Sequence, residues 1–218
     1  MSRAAATGAA FVLWSAAVAA ETMPAPATNP SPLRVACVGD SITWGAGLAS
    51  PSSNSYPAQL AKLLSARPAV VGNFGAPGRT LVRGGDHPYV RTAEFRAAIE
   101  FAPDAVVILL GANDTRPPNR PRLAEFKRDA TLLVRRFQAL PSRPMVFVAL
   151  PTPAWENAHG VDGTLLRDVV LLRWCEVAAE CHATVIDLHT PLLAARDRFP
   201  DGVHPDEGAI DDTGRGRR

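Results

Sequence analysis

The chain has 218 residues, 47% of them hydrophobic and 20% charged, with a formal net charge of +2. That length suits one domain of roughly 180 residues plus extensions, and the composition describes a globular protein with a real core rather than a disordered one. The near-neutral charge, carried mostly by scattered arginines, argues against a polyanion-binding surface.

Residues 1–20 combine Arg3, a small apolar run from Ala4 to Ala17 and the pattern Ala17-Val18-Ala19. This predicts a secretory signal peptide, because a membrane span needs about 20 apolar residues. An uncleaved membrane anchor and a misassigned start codon are the alternatives. Glu21 to Pro32 is rich in Pro, Ala and Thr and predicts a disordered linker. The folded domain is expected over residues 33–205, in the periplasm or outside the cell.

Arg34 to Val38 predicts the first strand, and Tyr56 to Ala66, with Leu60, Leu63 and Leu64, an amphipathic helix. Ala69 to Phe74 is the second strand and Thr92 to Phe101 the second helix. Asp104 to Leu110 is continuously apolar from Ala105, as a strand buried on both faces should be. A helix over Arg122 to Leu140, a strand over Met145 to Leu150, a helix over Thr164 to Glu180 and a strand over Thr184 to Leu188 complete the pattern. Alternating strands and helices predict an α/β fold, a three-layer αβα sandwich around a five-stranded parallel sheet. Of the three cysteines, Cys37 falls inside a strand. Cys175 and Cys181 are six apart and could pair only if their helix ends between them.

Small or polar residues follow three strands: Gly39-Asp40-Ser41, Asn73 to Gly78, and Gly111-Ala112-Asn113-Asp114. Right-handed crossovers bring these ends to one edge of the sheet, where ligands bind in open α/β folds. Gly39-Asp40-Ser41 by itself reads equally well as a turn. A serine nucleophile needs a base, and the five histidines differ in their partners. His189 follows Asp187 by two residues, whereas His204 follows Asp201 by three, a turn spacing that sets a carboxylate beside the ring. His204 is therefore the better base. A metal site built from Asp187, His189 and His204 is the weaker alternative, since no motif fixes a ligand geometry.

Gly39-Asp40-Ser41-Ile42-Thr43, Asn73 to Thr80, Gly111-Ala112-Asn113-Asp114 and Asp201-Gly202-Val203-His204-Pro205 together resemble the sequence blocks of the GDSL, or SGNH, hydrolase family. The resemblance implies a flavodoxin-like fold with Ser41 as nucleophile, His204 as general base and acid, and Asp201 as its orienting partner. It also implies an oxyanion hole formed by the Ser41 and Gly78 N–H groups and the Asn113 amide, with Gly75 as the fallback for Gly78. No cofactor and no metal are expected. The loop sequences Gly84 to Tyr89 and Asn113 to Arg116 are similar to the carbohydrate-esterase or sialate O-acetylesterase branch. Arg79, Tyr89, Asp114 and Trp155 become the expected substrate contacts, while Asp40 and Asp114 are expected to brace their loops in preference to doing chemistry.

The function so implied is an exported serine esterase that removes small acyl groups, chiefly acetyl, from carbohydrate. The partner would be a small-molecule or glycan ester, not nucleic acid or membrane. A broad lysophospholipase or thioesterase, and a non-catalytic carbohydrate-binding descendant, are the alternatives. Residues 206–218 begin as a helix but lose their apolar face after Ile210. They read as a truncated or disordered tail, which would leave apolar surface uncovered and lower stability or favour a dimer.

Overall fold

A computed structural model describes residues 31–212. The predicted signal segment, the linker up to Pro30 and residues 213–218 lie outside the described residues. Five parallel strands, β1 (Leu33–Gly39), β2 (Ala69–Gly75), β3 (Ala105–Leu109), β4 (Met145–Leu150) and β5 (Thr184–Asp187), form one sheet in the order β2-β1-β3-β4-β5. Every adjacent pair is parallel. This is the flavodoxin-like order, so the expected α/β class and sheet hold. The helices are α1 (Ser41–Trp44), α2 (Pro51–Asn54), α3 (Tyr56–Leu63), α4 (Ala93–Glu100), α5 (Phe126–Gln138), α6 (Gly163–Leu165), α7 (Leu172–Cys181) and α8 (Glu207–Asp212).

The two-residue period of the strands divides the core. Ala36, Val38, Val106, Ile108, Val146 and Val148 face α4, α5 and α7, where Ala98, Phe137 and Trp174 complete the larger cluster. The intervening Val35, Cys37 and Ala105 face the opposite side, covered by Tyr56, Leu60 and Leu64 at α3. Near β4 and β5 this second face is covered by Ile42 and Leu188, and beyond them by Leu192, Phe199 and Ala209. Strands apolar at every position follow from burial on both faces.

Two helices differ from the sequence expectation. The third begins as a 3-10 segment, Arg120–Glu125, before α5, with Pro121 in its first turn, where the missing N–H would be unpaired anyway. The fourth runs unbroken from Gly163 to Cys181 and contains a π segment, Leu166–Leu171. Because this helix does not end between them, Cys175 is exposed, Cys181 is buried and both are free thiols. The conditional disulfide is thereby corrected: six helical residues turn the second side chain about 240° from the first.

Gly39 is the tightest point of the design. A Cβ there would collide with the Thr43 hydroxyl and lie 2.5 Å from the Leu109 carbonyl oxygen. Gly39→Ala is expected to cost at least about 1–3 kcal/mol, read from the urea midpoint, because backbone cannot yield as a flexible side chain can.

Candidate active site

The end of β1 fixes the first functional side chain. Asp40 caps α1, its Oδ1 accepting the Ile42 N–H at 3.1 Å. Ser41 is the first residue of α1, and Gly45, at φ +101°, closes that helix after one turn. Ser41 thus stands at the carboxyl edge of the sheet, half-buried.

The turn Asp201 to His204 reaches it from the other end of the chain. Asp201 Oδ1 accepts the N–H groups of Val203 at 2.9 Å and His204 at 2.7 Å. Its Oδ2 lies 2.6 Å from His204 Nδ1, and His204 Nε2 lies 2.8 Å from Ser41 Oγ. An ionised carboxylate only accepts, so Nδ1 carries the ring proton and Nε2 is left to accept the Ser41 hydroxyl. Burial works against ionisation of Asp201. The hydrogen bond from the His204 ring and the two backbone N–H groups outweigh it and hold the carboxyl well below its usual range.

Gly78 sits at φ +74° with open space where a Cβ would be, and lines the same pocket as Ser41. Among the described residues, neither the Ser41 nor the Gly78 N–H meets an acceptor. Gly75 differs: its N–H donates to Asn73 Oδ1, and a Cβ there would run into the backbone of Thr43 and Trp44. It is a packing glycine, so the fallback is set aside. Asn113 follows β3 and is buried, with Nδ2 donating to Asp40 Oδ2 at 3.2 Å and to the Arg79 carbonyl at 3.1 Å.

A second set of polar side chains holds the loop that carries Gly78. Asp114 accepts the Leu81 N–H at 2.9 Å and the Val82 N–H at 2.8 Å. Asp129 accepts the Arg83 N–H at 2.8 Å, and Asn119 accepts the Asp86 N–H at 2.9 Å. Asp114 is fully buried and braces this loop instead of touching substrate, which corrects its place among the expected contacts. Tyr89 is corrected too: its ring is wholly buried against Phe95, with its hydroxyl donating to the Phe74 carbonyl at 2.6 Å. Arg79 contributes its carbonyl to Asn113, and its side chain is not among those lining the pocket.

Burial pushes Asp40 up to about 7; the Ile42 N–H opposes this and the charge of Asp114 adds to it. Burial likewise pushes Asp114 up to about 6 against the Val82 and Leu81 N–H groups. Both carboxyls titrate near 3.8 when unperturbed. Between about pH 4 and 7 the folded protein therefore keeps protons that the unfolded chain has released, so these groups lower stability as pH rises. The urea midpoint is expected to be higher at pH 5 than at pH 8; a midpoint that rises across this window would contradict these assignments.

The pocket around Ser41 has a volume of about 430 Å³ and is walled by Gly78, Asn113, Arg116, His159, Val161 and His204 among others. A larger groove of about 570 Å³ shares Val161 with it and holds Trp155. Trp155 lies outside the pocket itself. Phe199 packs on its ring at 4.9 Å between centroids, and the Arg196 guanidinium lies over the ring at 5.6 Å. His189 is also away from Ser41, buried with Nδ1 donating to the Pro151 carbonyl at 3.0 Å. Asp187 caps the turn after β5 through the His189 and Thr190 N–H groups.

Two functional arrangements escaped the sequence. One is the Asp40–Asn113 bond between residues 73 apart. The other is His159, whose Nε2 lies 3.0 Å from the same Asp201 oxygen that holds His204. No spacing rule links residues 42 apart.

Residues 37–208 match the model of the GDSL-like lipase/acylhydrolase family. An acetylxylan esterase of Xylanibacter ruminicola is 32% identical over 200 residues, a match covering 84% of this chain and 42% of that protein. The chain thus spans less than half the length of this relative. A solved structure of a candidate arylesterase from Agrobacterium tumefaciens is 27% identical, with a TM-score of 0.66 over 84% of this chain and 95% of that one. The lipase/acylhydrolase from Enterococcus faecalis shares the fold, with a TM-score of 0.68 at 24% identity over 84% of this chain and 91% of that one. With its sheet order and the match over residues 37–208, the chain belongs to the GDSL-like lipase/acylhydrolase family.

Proposed function

We propose that this protein is an exported carboxylic ester hydrolase that removes small acyl groups, acetyl above all, from carbohydrate. The observation that carries the chemistry is the unbroken chain Ser41 Oγ, His204 Nε2, His204 Nδ1, Asp201 Oδ2, at 2.8 and 2.6 Å. Ser41 Oγ attacks the acyl carbonyl carbon as His204 Nε2 takes its proton. The carbonyl oxygen becomes an oxyanion facing the Ser41 and Gly78 N–H groups and the Asn113 amide. The tetrahedral intermediate collapses, His204 returns the proton to the departing sugar oxygen, and the acyl group stays on Ser41. Water then enters along the same path and attacks the acyl carbon as His204 takes its proton; the bond to Ser41 Oγ breaks, His204 returns that proton to Oγ, and the acid is released.

Asn113 carries a particular cost and gain. Its two amide hydrogens are engaged with Asp40 and the Arg79 carbonyl. It reaches the oxyanion by giving up the neutral Arg79 carbonyl and keeping Asp40. Exchanging a neutral acceptor for a charged one favours the transition state over the bound ester, because charge-assisted bonds are roughly twice as strong.

Carbohydrate as the substrate is supported by the polar pocket wall at Arg116 and His159 and by the identity with an acetylxylan esterase. Export is supported by the apolar run ending at Ala17-Val18-Ala19. The test is hydrolysis of p-nitrophenyl esters of increasing chain length beside acetate release from acetylated xylo-oligosaccharides. Acetate esters are expected to be cleaved fastest, with acetate released from the sugar. Preference for long acyl chains with no acetate from the oligosaccharide would overturn the reading.

A further inference from the structure

We propose that His159, Asp201 and His204 form a binding site for Zn²⁺ that switches the esterase off. His159 Nε2 and His204 Nδ1 lie 3.0 and 2.6 Å from the same oxygen, Asp201 Oδ2. The two rings meet edge to face with centroids 5.0 Å apart. One ligand atom from each of the three residues falls within 4.8 Å of the others. Two imidazole nitrogens and a carboxylate oxygen are a zinc donor set, with bonds of about 2.0–2.2 Å that put neighbouring ligand atoms about 3.4 Å apart on a tetrahedron. Shifts of under about 1 Å, of the His159 ring away from Asp201 and of the Asp201 carboxylate away from His204, would open the present 3.0 and 2.6 Å spacings to that value.

The cluster is also reachable. The His159 side chain is 47% exposed and Asp201 is 38% exposed, so an ion can enter and keep a water as its fourth ligand. His159 is presented on a firm loop: Asn157 donates to the Trp155 and Val161 carbonyls and accepts the Val161 N–H. Asp201 is held ionised by four donors, two of which, the ring N–H groups, the metal would replace.

The inhibition follows from the tautomer. A metal on His204 Nδ1 takes the lone pair of that nitrogen, so the ring proton moves through solvent to Nε2. No proton is lost, but Nε2 now presents N–H to Ser41 Oγ and can no longer accept the serine proton. The donor set also predicts selectivity, since imidazole ligands suit zinc and copper, whereas magnesium prefers oxygen and retains its waters.

The effect on rate rests on the reading of Ser41 and His204 as nucleophile and base; the binding of metal does not. Titration calorimetry with zinc chloride is therefore run on wild type, on Ser41→Ala and on His159→Gln, whose amide can still donate to Asp201 but is a poor zinc ligand. Ester hydrolysis is measured on wild type and His159→Gln, each against its own metal-free rate. One zinc per chain is expected for wild type and Ser41→Ala. Zinc inhibition should be reversible by EDTA, with no inhibition by magnesium, and the inhibitory concentration should rise at least tenfold in His159→Gln. Absence of binding to wild type, equal affinity in His159→Gln, or equal inhibition by magnesium would overturn the site. If the protein hydrolyses no ester, the esterase reading falls, and the calorimetric comparison of wild type with His159→Gln still decides the metal site.

Discussion

Alanine in place of Ser41 is expected to lower p-nitrophenyl acetate hydrolysis by roughly 10⁴- to 10⁶-fold, the range found when a serine hydrolase loses a member of its catalytic unit. The Ser41 hydroxyl bonds only His204 among the described residues, and the residue is half-buried. Truncation therefore removes the proposed nucleophile without opening a core cavity, and the thermal midpoint should stay close to that of wild type. His204→Ala should lose activity to a similar degree, and the double variant should be no worse than either single, because the two groups act as one unit. Equal rates for wild type and Ser41→Ala would end the serine mechanism.

Asn113→Ala is expected to lower kcat by about 10²–10³, or about 2.7–4 kcal/mol, with KM changed little. In the proposed mechanism the amide strengthens its bonding only once the oxyanion forms. A stability loss should accompany it. Asp40 Oδ2 would keep no side-chain donor in a site only 2% exposed, and an unpaired buried acceptor costs about 1–3 kcal/mol. Kinetics under conditions where circular dichroism shows the variant folded separate the two effects. A kcat within tenfold of wild type would remove Asn113 from the oxyanion hole.

The strands and the edge at which they end were legible because they are local. Apolar runs stop at Gly39 and Gly111, with polar residues just beyond, and Asp201 stands three residues before His204. The contact between Ser41 and His204 spans 163 residues, and only the family resemblance carried it. Side-chain direction in loops was not legible. Tyr89 turns inward to the Phe74 carbonyl and Asp114 to two loop amides, because tertiary packing, not a residue period, decides which way a loop residue points. Trp155 lines the groove beside the pocket, half-buried, with its ring held by Phe199 and Arg196, a placement that packing sets and no residue period announces. His159 has no neighbour in sequence that announces Asp201, 42 residues away.

The stretch from Leu81 to Asp86 is neither helix nor strand, yet the amides of Leu81, Val82, Arg83 and Asp86 each end on a side-chain oxygen from the segment between β3 and α5 or from α5 itself. Releasing them means prying that segment away from the sheet, which is close to unfolding the domain. In deuterated solvent these four amides should exchange about as slowly as those of the central strands, unlike ordinary surface loops. The loop behind Gly78 thus belongs to the cooperative unit, and insertions there should be tolerated as poorly as insertions in a strand.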